Sequence, residues 1–398
     1  MSKKRSPRET PRGRMPRGKK LAAALALALV CVVGTSMLAQ VNSRKKSRKA
    51  ADDFTVMALP ASGPSKEYVY AGSKLIAIEE GSSGSSGSGP RAVFDFEPDS
   101  KSEIAFYRNG LWGILKSSQG YAYDTPQFFS WGAAGLPPVY GDFDGDNKTD
   151  IGYMDHPSGS NQVYAILRST TGYGFGAGQP LFVSAGVVTD KPVVGDFDGD
   201  HKADPSTWRP STGVWTIPKS SANYSSFIFA QWGVDGDIPI VCDLDGDGKS
   251  DMGFYRSGVW GFLKSSAGYS ISSPQFFSWG DTGKQPVVGD FDGDGKADIG
   301  YIEPPANNQS ATYAILLSSN GYGFGTGQVL FVPAGFPSLG DTPVVGDWDA
   351  DGKSDPGIWR ASQGIWIIPL SSGNYGTYLF SQWGQNGDTP MPHPTTQY

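Results

Sequence analysis

Short apolar runs separated by turn-forming residues extend over most of the chain and predict strands rather than helices. One stretch reads, in order, "PIVCD" (239–243), "MGFYRSG" (252–258), "VWGFLKSSAG" (259–268) and "PQFFSWG" (274–280). The runs are rich in Val, Ile, Phe, Tyr and Trp, which pack well on pleated sheets, and they end at Gly, Asp, Ser or Pro. The pattern predicts an all-β fold whose unit is four consecutive strands.

The chain contains six copies of this four-strand unit, and each copy contains an acidic phrase. The phrases begin at Asp95, Asp142, Asp196, Asp243, Asp290 and Asp347, which gives spacings of 47, 54, 47, 47 and 57 residues. A period of this length is typical of one four-stranded propeller blade. We therefore predict a β-propeller of six four-stranded blades within residues 91–398.

The first three units are also similar in sequence to the last three. The stretch at 106–132 returns at 254–280, the stretch at 163–183 returns at 312–332, and "STWRPSTGVWTIPKSS" (206–221) returns as "GIWRASQGIWIIPLSS" (357–372). The corresponding acidic phrases are offset by 148, 148 and 151 residues. The ring is therefore predicted to consist of a duplicated three-blade unit, with a pseudo-twofold axis.

The end of the chain predicts how the ring closes. Residues 385–394, "QNGDTPMPHP", copy the approach to a first strand, "GDTPVVGD" (340–347), but no acidic loop follows. We expect this tail to supply the first strand of the opening blade, beside or in place of "RAVFD" (91–95). The alternative is a partial seventh blade, built with the strand-like hairpin at 68–80.

The N-terminal part is distinct from the repeats. Residues 1–50 hold 14 Lys or Arg and one acid, and an apolar run occupies 21–39. Residues 1–40 are predicted to be a basic segment with a signal peptide or a retained membrane anchor, and both place the rest of the chain outside the cytoplasm. Residues 41–90 are predicted to be a charged juxtamembrane segment, the short hairpin and a Gly/Ser linker (81–90). The protein is thus expected to be exported: secreted, periplasmic or at the cell surface.

Charge and cysteine content restrict the partners and the means of stabilisation. Residues 91–398 carry 17 Lys or Arg against 33 Asp or Glu, a net charge of −16. Such an acidic body argues against nucleic acid as a partner. The chain has two cysteines, and Cys31 lies in the apolar run while Cys242 lies in a predicted strand. The propeller is therefore expected to form no internal disulfide, and we expect it to be a monomer.

The acidic phrase, "DFDGDGKAD" at 290–298, is the main candidate for chemistry. Its acids at positions 1, 3, 5 and 9 can direct several hard oxygens at one ion, which suits Ca²⁺ better than Mg²⁺. The alternative is a solvated turn rich in Asp and Gly. We predict about five calcium sites, each completed by the backbone carbonyl of the lysine at position 7. The predicted ligands are Asp142, Asp144, Asp146, Lys148 and Asp150; Asp196, Asp198, Asp200, Lys202 and Asp204; Asp243, Asp245, Asp247, Lys249 and Asp251; Asp290, Asp292, Asp294, Lys296 and Asp298; and Asp347, Asp349, Asp351, Lys353 and Asp355.

The first phrase, "DFEPDSKSE" (95–103), departs from this pattern. It keeps four acids, Asp95, Glu97, Asp99 and Glu103, but two have longer side chains and Pro98 stands in place of glycine. We predict that this loop binds calcium weakly or not at all.

These features resemble the FG-GAP or VCBS-type repeats of integrin-α-like β-propellers, of bacterial type. The resemblance covers residues 91–398 and rests on the D-x-D-x-D-G-x-x-D loop and on "F-x-W-G" followed by "P-V-V-G-D-F-D-G-D-G-K-x-D". It implies a structural role for calcium between the first two strands of each blade and a ligand bound by the opposite face or the rim. It also implies adhesion or recognition outside the cell.

No catalytic constellation stands out. The three histidines, His156, His201 and His393, have no partner suggested by the sequence, and 24 of the 33 acids in residues 91–398 lie in the acidic loops. We predict a non-enzymatic binding or adhesion module for a protein or carbohydrate ligand, with membrane contact only through the N-terminal segment. The alternatives are a multivalent calcium-dependent lectin that stacks sugars on Trp112, Trp215, Trp260 and Trp366, and the propeller part of a polysaccharide-acting enzyme.

Overall fold

The computed structural model describes part of the chain. It describes the backbone of residues 66–71 and 74–80, and it describes in full residues 93–157, 161–176, 179–303, 310–325, 328–334 and 340–392. The chain divides into two compact units, Met1–Gly87 and Ser88–Tyr398. In the first unit, β1 (Lys66–Ala71) and β2 (Lys74–Glu80) pair antiparallel. The predicted apolar run at 21–39 and the linker at 81–90 lie outside the described residues.

The second unit consists of six four-stranded antiparallel sheets, which we call blades 1 to 6. In sheet order, blade 1 is β26 (Thr389–Met391), β3 (Ile104–Arg108), β4 (Leu111–Leu115) and β5 (Gln127–Ser130); blade 2 is β6 (Pro138–Gly141), β7 (Asp150–Asp155), β8 (Asn161–Leu167) and β9 (Leu181–Val187); blade 3 is β10 (Lys191–Gly195), β11 (Asp204–Arg209), β12 (Val214–Pro218) and β13 (Phe227–Gln231); blade 4 is β14 (Ile238–Cys242), β15 (Asp251–Arg256), β16 (Val259–Leu263) and β17 (Gln275–Ser278); blade 5 is β18 (Gln285–Gly289), β19 (Asp298–Glu303), β20 (Ala311–Leu316) and β21 (Val329–Ala334); and blade 6 is β22 (Asp341–Gly346), β23 (Asp355–Arg360), β24 (Ile365–Leu370) and β25 (Thr377–Gln382).

The first strands line the centre of the ring and the fourth strands form its rim. Strand β10 contacts β6 and β14, and β22 contacts β18 and β26, so the first strands of neighbouring blades meet. The described part of the chain contains no α-helix. A three-residue 3₁₀ turn follows the third strand of every blade: Ser117–Gln119, Ser169–Thr171, Ser220–Ala222, Ser265–Ala267, Ser318–Asn320 and Ser371–Gly373. The predicted six-bladed all-β propeller is thus confirmed.

The ring closes inside blade 1, whose first strand comes from the end of the chain. Strand β26 pairs antiparallel with β3, with Met391 opposite Ala105. Just before β26, the buried carboxylate of Asp388 accepts two hydrogen bonds from the Arg108 guanidinium, at 2.5 and 2.8 Å. Val93 and Phe94 form a buried turn, so the tail takes the place of "RAVFD" as the inner strand. The predicted closure by the tail is confirmed, and the ring has no seventh blade among the described residues.

Tryptophans connect the blades. Seven of them have less than about 2% of their surface exposed, and they lie in the clusters between sheets. The other four donate their indole N–H to a third-strand carbonyl of the next blade at 2.9–3.0 Å. These donors are Trp131, Trp232, Trp279 and Trp383, and their acceptors are Ala165, Gly261, Ala314 and Gly113. The tryptophans therefore form much of the core between the blades.

The other two blade interfaces use tyrosine instead. The hydroxyl of Tyr164 in blade 2 donates to the carbonyl of Ser206 in blade 3, and the hydroxyl of Tyr313 in blade 5 donates to that of Gly357 in blade 6 at 2.5 Å. Both tyrosines are completely buried. The tryptophan and tyrosine interfaces therefore follow the three-blade repeat that the sequence predicts, with one tyrosine interface in each set of three.

Replacement of a buried inter-blade tryptophan tests this core. Trp260 is completely buried and donates its indole N–H to the Trp279 carbonyl at 2.8 Å. We expect Trp260→Ala to lower the free energy of unfolding by about 3–5 kcal/mol, because it leaves a large cavity. Chemical denaturation measures the change, and Ile271→Ala, at a side chain 66% exposed, is the control and should be nearly neutral. Equal effects of the two variants would contradict this packing.

Candidate functional site

Five of the acidic loops join the first and second strands of blades 2 to 6 at the same end of the ring, and the loop at 95–103 precedes the second strand of blade 1, whose first strand is β26. In five loops, position 1 directly follows the first strand and position 9 begins the second strand, as for Asp290 after β18 and Asp298 in β19. The four acids of each loop are therefore held between two hydrogen-bonded strands. The structure places every predicted calcium ligand in such a loop.

The aspartate at position 1 organises the loop backbone. Asp290 accepts the N–H of Gly293 at 2.6 Å and that of Gly295 at 2.8 Å. These two residues have φ of 79° and 82°, in the left-handed region that favours glycine. The same two positions hold His201 and Ala350 in other loops, also at positive φ. The Asp-Gly spacing of the motif is thus the spacing that this turn needs.

The aspartate at position 9 joins the loop to the 3₁₀ turn of its own blade. Asp298 is completely buried, and its carboxylate accepts the N–H of Phe291 at 2.7 Å and that of Ser318 at 2.7 Å. Burial, together with the charge of Asp292, raises the pKa of Asp298 to about 8. The equivalent aspartates have their pKa raised for the same reasons, to about 8 for Asp150 and Asp355 and about 7 for Asp204 and Asp251.

The aspartate at position 3 has one oxygen held and one without a partner. The Oδ2 atom of Asp292 accepts the Ser319 hydroxyl at 2.5 Å, whereas its Oδ1 atom is buried and has no hydrogen-bond partner. All five regular loops repeat this arrangement, and the buried unpartnered Oδ1 atoms belong to Asp144, Asp198, Asp245, Asp292 and Asp349. Burial of an ionised oxygen without a partner is costly unless a cation binds it.

Oxygens of neighbouring acids converge on this position. One oxygen each from Asp290, Asp292 and Asp294 lie within 4.8 Å of one another, and so do those of Asp142, Asp144 and Asp146. In two other loops the clusters are Asp196, Asp198 and Asp204, and Asp243, Asp245 and Asp251. Oxygens on opposite sides of a Ca²⁺ ion are separated by about twice the 2.3–2.6 Å bond length, so the clusters fit a calcium ion. The residues present therefore fit the predicted metal.

The first loop differs in its third position. Glu97 forms an ion pair with Lys116 at 3.2 Å and is not part of the acidic cluster, which consists of Asp95, Asp99 and Glu103. Glu103 is completely buried and accepts the Phe96 N–H at 2.6 Å, and burial raises its pKa to about 9. This loop thus keeps the position 9 contact but turns its position 3 acid toward a lysine.

The six loops are joined to one another around the ring. The N–H at position 8 of each loop donates to the position 1 carbonyl of the preceding loop, at 2.6–2.7 Å, and Ser102 of the first loop donates to Asp347 of the last. The tyrosine that follows a 3₁₀ turn adds to these links, since the Tyr322 hydroxyl bonds the carbonyls of both Leu244 and Ala297. The candidate metal sites therefore share one closed hydrogen-bonded belt.

Sequence reasoning missed the hydroxyls that hold the acids. Ser220, Ser265 and Ser371 donate to the position 5 aspartates at 2.7–2.9 Å, and the next residue of four of the turns is a serine that bonds position 3. The sequence does contain a pattern that could have predicted these contacts, because a Ser-Ser or Ser-Thr pair follows the third strand in every repeat.

The structure corrects the prediction that four tryptophans could stack on sugars. Trp112, Trp215, Trp260 and Trp366 are all completely buried, because the third strand of each blade is covered by its neighbours. None of the four can stack on a ligand. The exposed aromatic residues include a phenylalanine at one equivalent position of the outermost strand in every blade, and sequence reasoning did not single these six out: Phe128, Phe182, Phe229, Phe276, Phe331 and Phe380.

Comparison with known proteins found solved structures of low similarity and no family. No protein-family model matches the chain, and no curated protein matches it. Among solved structures, an Agrocybe aegerita lectin that recognises non-reducing terminal N-acetylglucosamine is 12% identical, with 78% of this chain and 92% of that chain covered and a TM-score of 0.43. Virginiamycin B lyase from Staphylococcus aureus is 8% identical, with 74% and 84% covered and a TM-score of 0.42.

A third solved structure, apo AztD from Citrobacter koseri, is 9% identical, with 74% of this chain and 98% of that chain covered and a TM-score of 0.34. The first two of these proteins differ in kind, since one is a lectin and the other a lyase. At these identities and TM-scores, the likenesses carry no inference about ligand or activity. Among the described residues, no helix has the length and apolar character needed to span a bilayer.

Proposed function

We propose that the protein is an exported, non-enzymatic binding module whose propeller is stabilised by about five calcium ions. The observation that carries the calcium proposal is the buried position 3 oxygen, which lacks a partner in all five regular loops. Bound calcium would be held by the aspartates at positions 1, 3, 5 and 9 and the position 7 carbonyls. The ions would join the first two strands of each blade and offset the repulsion between the acids.

The exposed position of the histidines supports a binding role rather than catalysis. His156 and His201 both lie exposed in loops, and these are the histidines that the structure describes. A surface pocket beside blade 1 is lined by Lys116, Gln119, Thr125, Pro126 and Gln127, which provide one amine and no acid–base pair. Export is supported by the basic N-terminal segment and the apolar run that follows it.

Measurement of calcium stoichiometry tests the proposal. Equilibrium dialysis of the metal-free protein against about 10 mM calcium should give about five ions per chain, since Kd values of about 10⁻⁴–10⁻³ M are ordinary for extracellular calcium modules. Asp292→Asn should remove one ion, because it weakens the ligand whose buried Oδ1 atom has no hydrogen-bond partner in the protein. The matched control is Asp124→Asn, at an exposed acid outside the loops.

The melting temperature of Asp292→Asn should distinguish loss of calcium binding from a general loss of stability. In excess chelator, Asp292→Asn should melt no lower than the parent protein, because it removes one charge from a repulsive cluster. With saturating calcium it should melt lower than the parent. Binding of fewer than two ions by the parent, or equal melting of variant and parent at all calcium concentrations, would contradict the proposal.

A further inference from the structure

The outermost strand of every blade carries an exposed phenylalanine at one equivalent position, and we call these six residues the rim phenylalanines. Their exposed fractions are 51% for Phe128, 62% for Phe182, 66% for Phe229, 56% for Phe276, 62% for Phe331 and 61% for Phe380. Burial of such a side chain would stabilise the fold, so six exposed copies at one structural position leave apolar surface available at the same place in each blade.

Small residues lie opposite four of these rings. Phe128 and Phe276 lie opposite Gly113 and Gly261 in the neighbouring strand, and Phe182 and Phe331 lie opposite Ala165 and Ala314. Phe229 and Phe380 lie opposite Thr216 and Ile367 and are still 66% and 61% exposed. The aromatic face is thus open to the outside with either kind of partner.

Two of the rings form an aromatic corner with a tryptophan of the preceding blade. The ring centroids of Phe128 and Trp383 are 5.7 Å apart, and so are those of Phe276 and Trp232. The indoles are fixed in place, because Trp383 donates to the Gly113 carbonyl at 2.9 Å and Trp232 donates to that of Gly261 at 3.0 Å. These two corners are equivalent under the internal repeat.

A polar side chain accompanies most of the rings. Two residues after each rim phenylalanine, on the same exposed face, stand Ser130, Ser184, Gln231, Ser278, Pro333 and Gln382. Successive residues on one face of a strand are about 6.6–6.8 Å apart. The Gln231 amide is held by a hydrogen bond to the Thr212 carbonyl at 2.9 Å, so its oxygen is directed away from that contact. Five of the six sites thus combine an aromatic face with a hydroxyl or amide group.

We propose that the rim phenylalanines are stacking platforms for the pyranose rings of a neutral polysaccharide, with the two aromatic corners as the best-formed sites. Sugar rings present apolar C–H faces bordered by hydroxyls, which match an aromatic face beside a serine or glutamine. The net charge of −16 in residues 91–398 disfavours anionic polysaccharides and anionic lipid surfaces. A repeating polymer can also engage several equivalent platforms at once, which increases avidity without new contacts.

A protein ligand fits the rim less well. A stable protein interface buries about 800 Å² on each partner around a continuous apolar centre. The rim phenylalanines instead lie on six separate sheets, and five of them have their own polar neighbour. This inference deepens the proposed binding function and depends on it, but the calcium sites lie at the loops and are measured separately.

Affinity electrophoresis and pull-down test the inference with the full protein in calcium. The probes are soluble xyloglucan and laminarin and insoluble cellulose and chitin. We expect the parent to bind at least one of these four, and the double variant Phe128→Ala/Phe276→Ala to bind it at least about tenfold more weakly, since aromatic anchors typically contribute a tenfold change or more. The control is Tyr123→Ala/Ile271→Ala, at exposed side chains away from the outermost strands, which should bind as the parent does.

The outcomes separate the two proposals. Circular dichroism of each variant in calcium shows whether it is folded, and the single variants Phe182→Ala and Phe331→Ala report on the platforms should the double variant fail to fold. A parent that binds about five calcium ions but none of the four polysaccharides would overturn the inference and leave the calcium proposal standing. Polysaccharide binding that is unchanged in all rim variants, or rim-dependent binding of a protein in place of the polysaccharides, would also overturn it.

Discussion

Ending the chain after Gly387 is expected to prevent the propeller from forming a stable closed ring. The truncation removes β26, whose Met391 is 2% exposed, and leaves the edge of β3 unpaired. It also removes Asp388 and leaves the Arg108 guanidinium without its carboxylate. Loss of a buried methionine alone costs about 2–5 kcal/mol, and domains have total stabilities of about 5–15 kcal/mol. Thermal unfolding followed by circular dichroism should show a Tm lower by at least about 10 °C or no cooperative transition.

A truncation after Pro392 is the matched control, since it also shortens the chain but retains all of β26. Asp388→Asn separates the ion pair from the strand, and we expect it to lower the Tm by less than the full truncation does. Closure by β26 would be wrong if the shorter protein unfolded at the same temperature as the control.

Removal of calcium is the second change with a large expected effect. At a free concentration of 100 times Kd, each bound ion stabilises the native state by about 2.7 kcal/mol. Five independent sites would together contribute on the order of 13 kcal/mol, a large part of the stability of an ordinary domain. Excess chelator should therefore lower the Tm by tens of degrees, as measured by differential scanning calorimetry. Magnesium at the same concentration should restore little of it, because it requires a stricter octahedron.

The metal-free and calcium-bound proteins should respond to pH in opposite directions. In the folded chain without metal, burial raises the pKa of the position 9 aspartates to about 7 for Asp204 and about 8 for Asp298, above the value of 3.8 for an exposed aspartate. Groups with raised pKa stabilise the fold when protonated, and this contribution is lost as the pH rises through the folded pKa. In chelator, stability should therefore fall between pH 5 and pH 8.

Calcium should reverse this slope, because its ligands must be ionised and its affinity rises with pH. With saturating calcium, stability should increase over the same range from pH 5 to pH 8. Melting curves at several pH values, with and without chelator, provide the measurement. Slopes of the same sign in both conditions would contradict a role for these aspartates as calcium ligands.

The sequence predicted the architecture well because the repeats encode it locally. The number of acidic phrases predicted the number of blades. The tail at 385–394 predicted the closing strand, because its sequence resembles the first strands of other blades. The turn chemistry was also readable. Positions 4 and 6 of the loop need positive φ, and glycine holds both in the loop at 290–298. Local conformational demands of this kind are visible in residue types.

The direction of individual side chains was not readable in the same way. Phe128 and Phe129 are adjacent and chemically identical, yet the register that pairs Phe128 with Gly113 exposes the first and turns the second toward the core. Which of two neighbours faces inward depends on contacts between blades. The same holds for Trp112, which sequence reasoning considered for ligand binding and the fold buries.

The divided blade 1 has a consequence for the order of events during synthesis. A ribosome produces β3 near the start of the propeller, but the partner of its inner edge is β26, which is translated after blades 2 to 6. Blades 2 to 6 can each complete their sheets as they are made, whereas the first sheet is completed only after 280 further residues, the separation of Arg108 and Asp388. During that interval the nascent chain exposes an unpaired strand edge, which is the surface that a chaperone would have to shield.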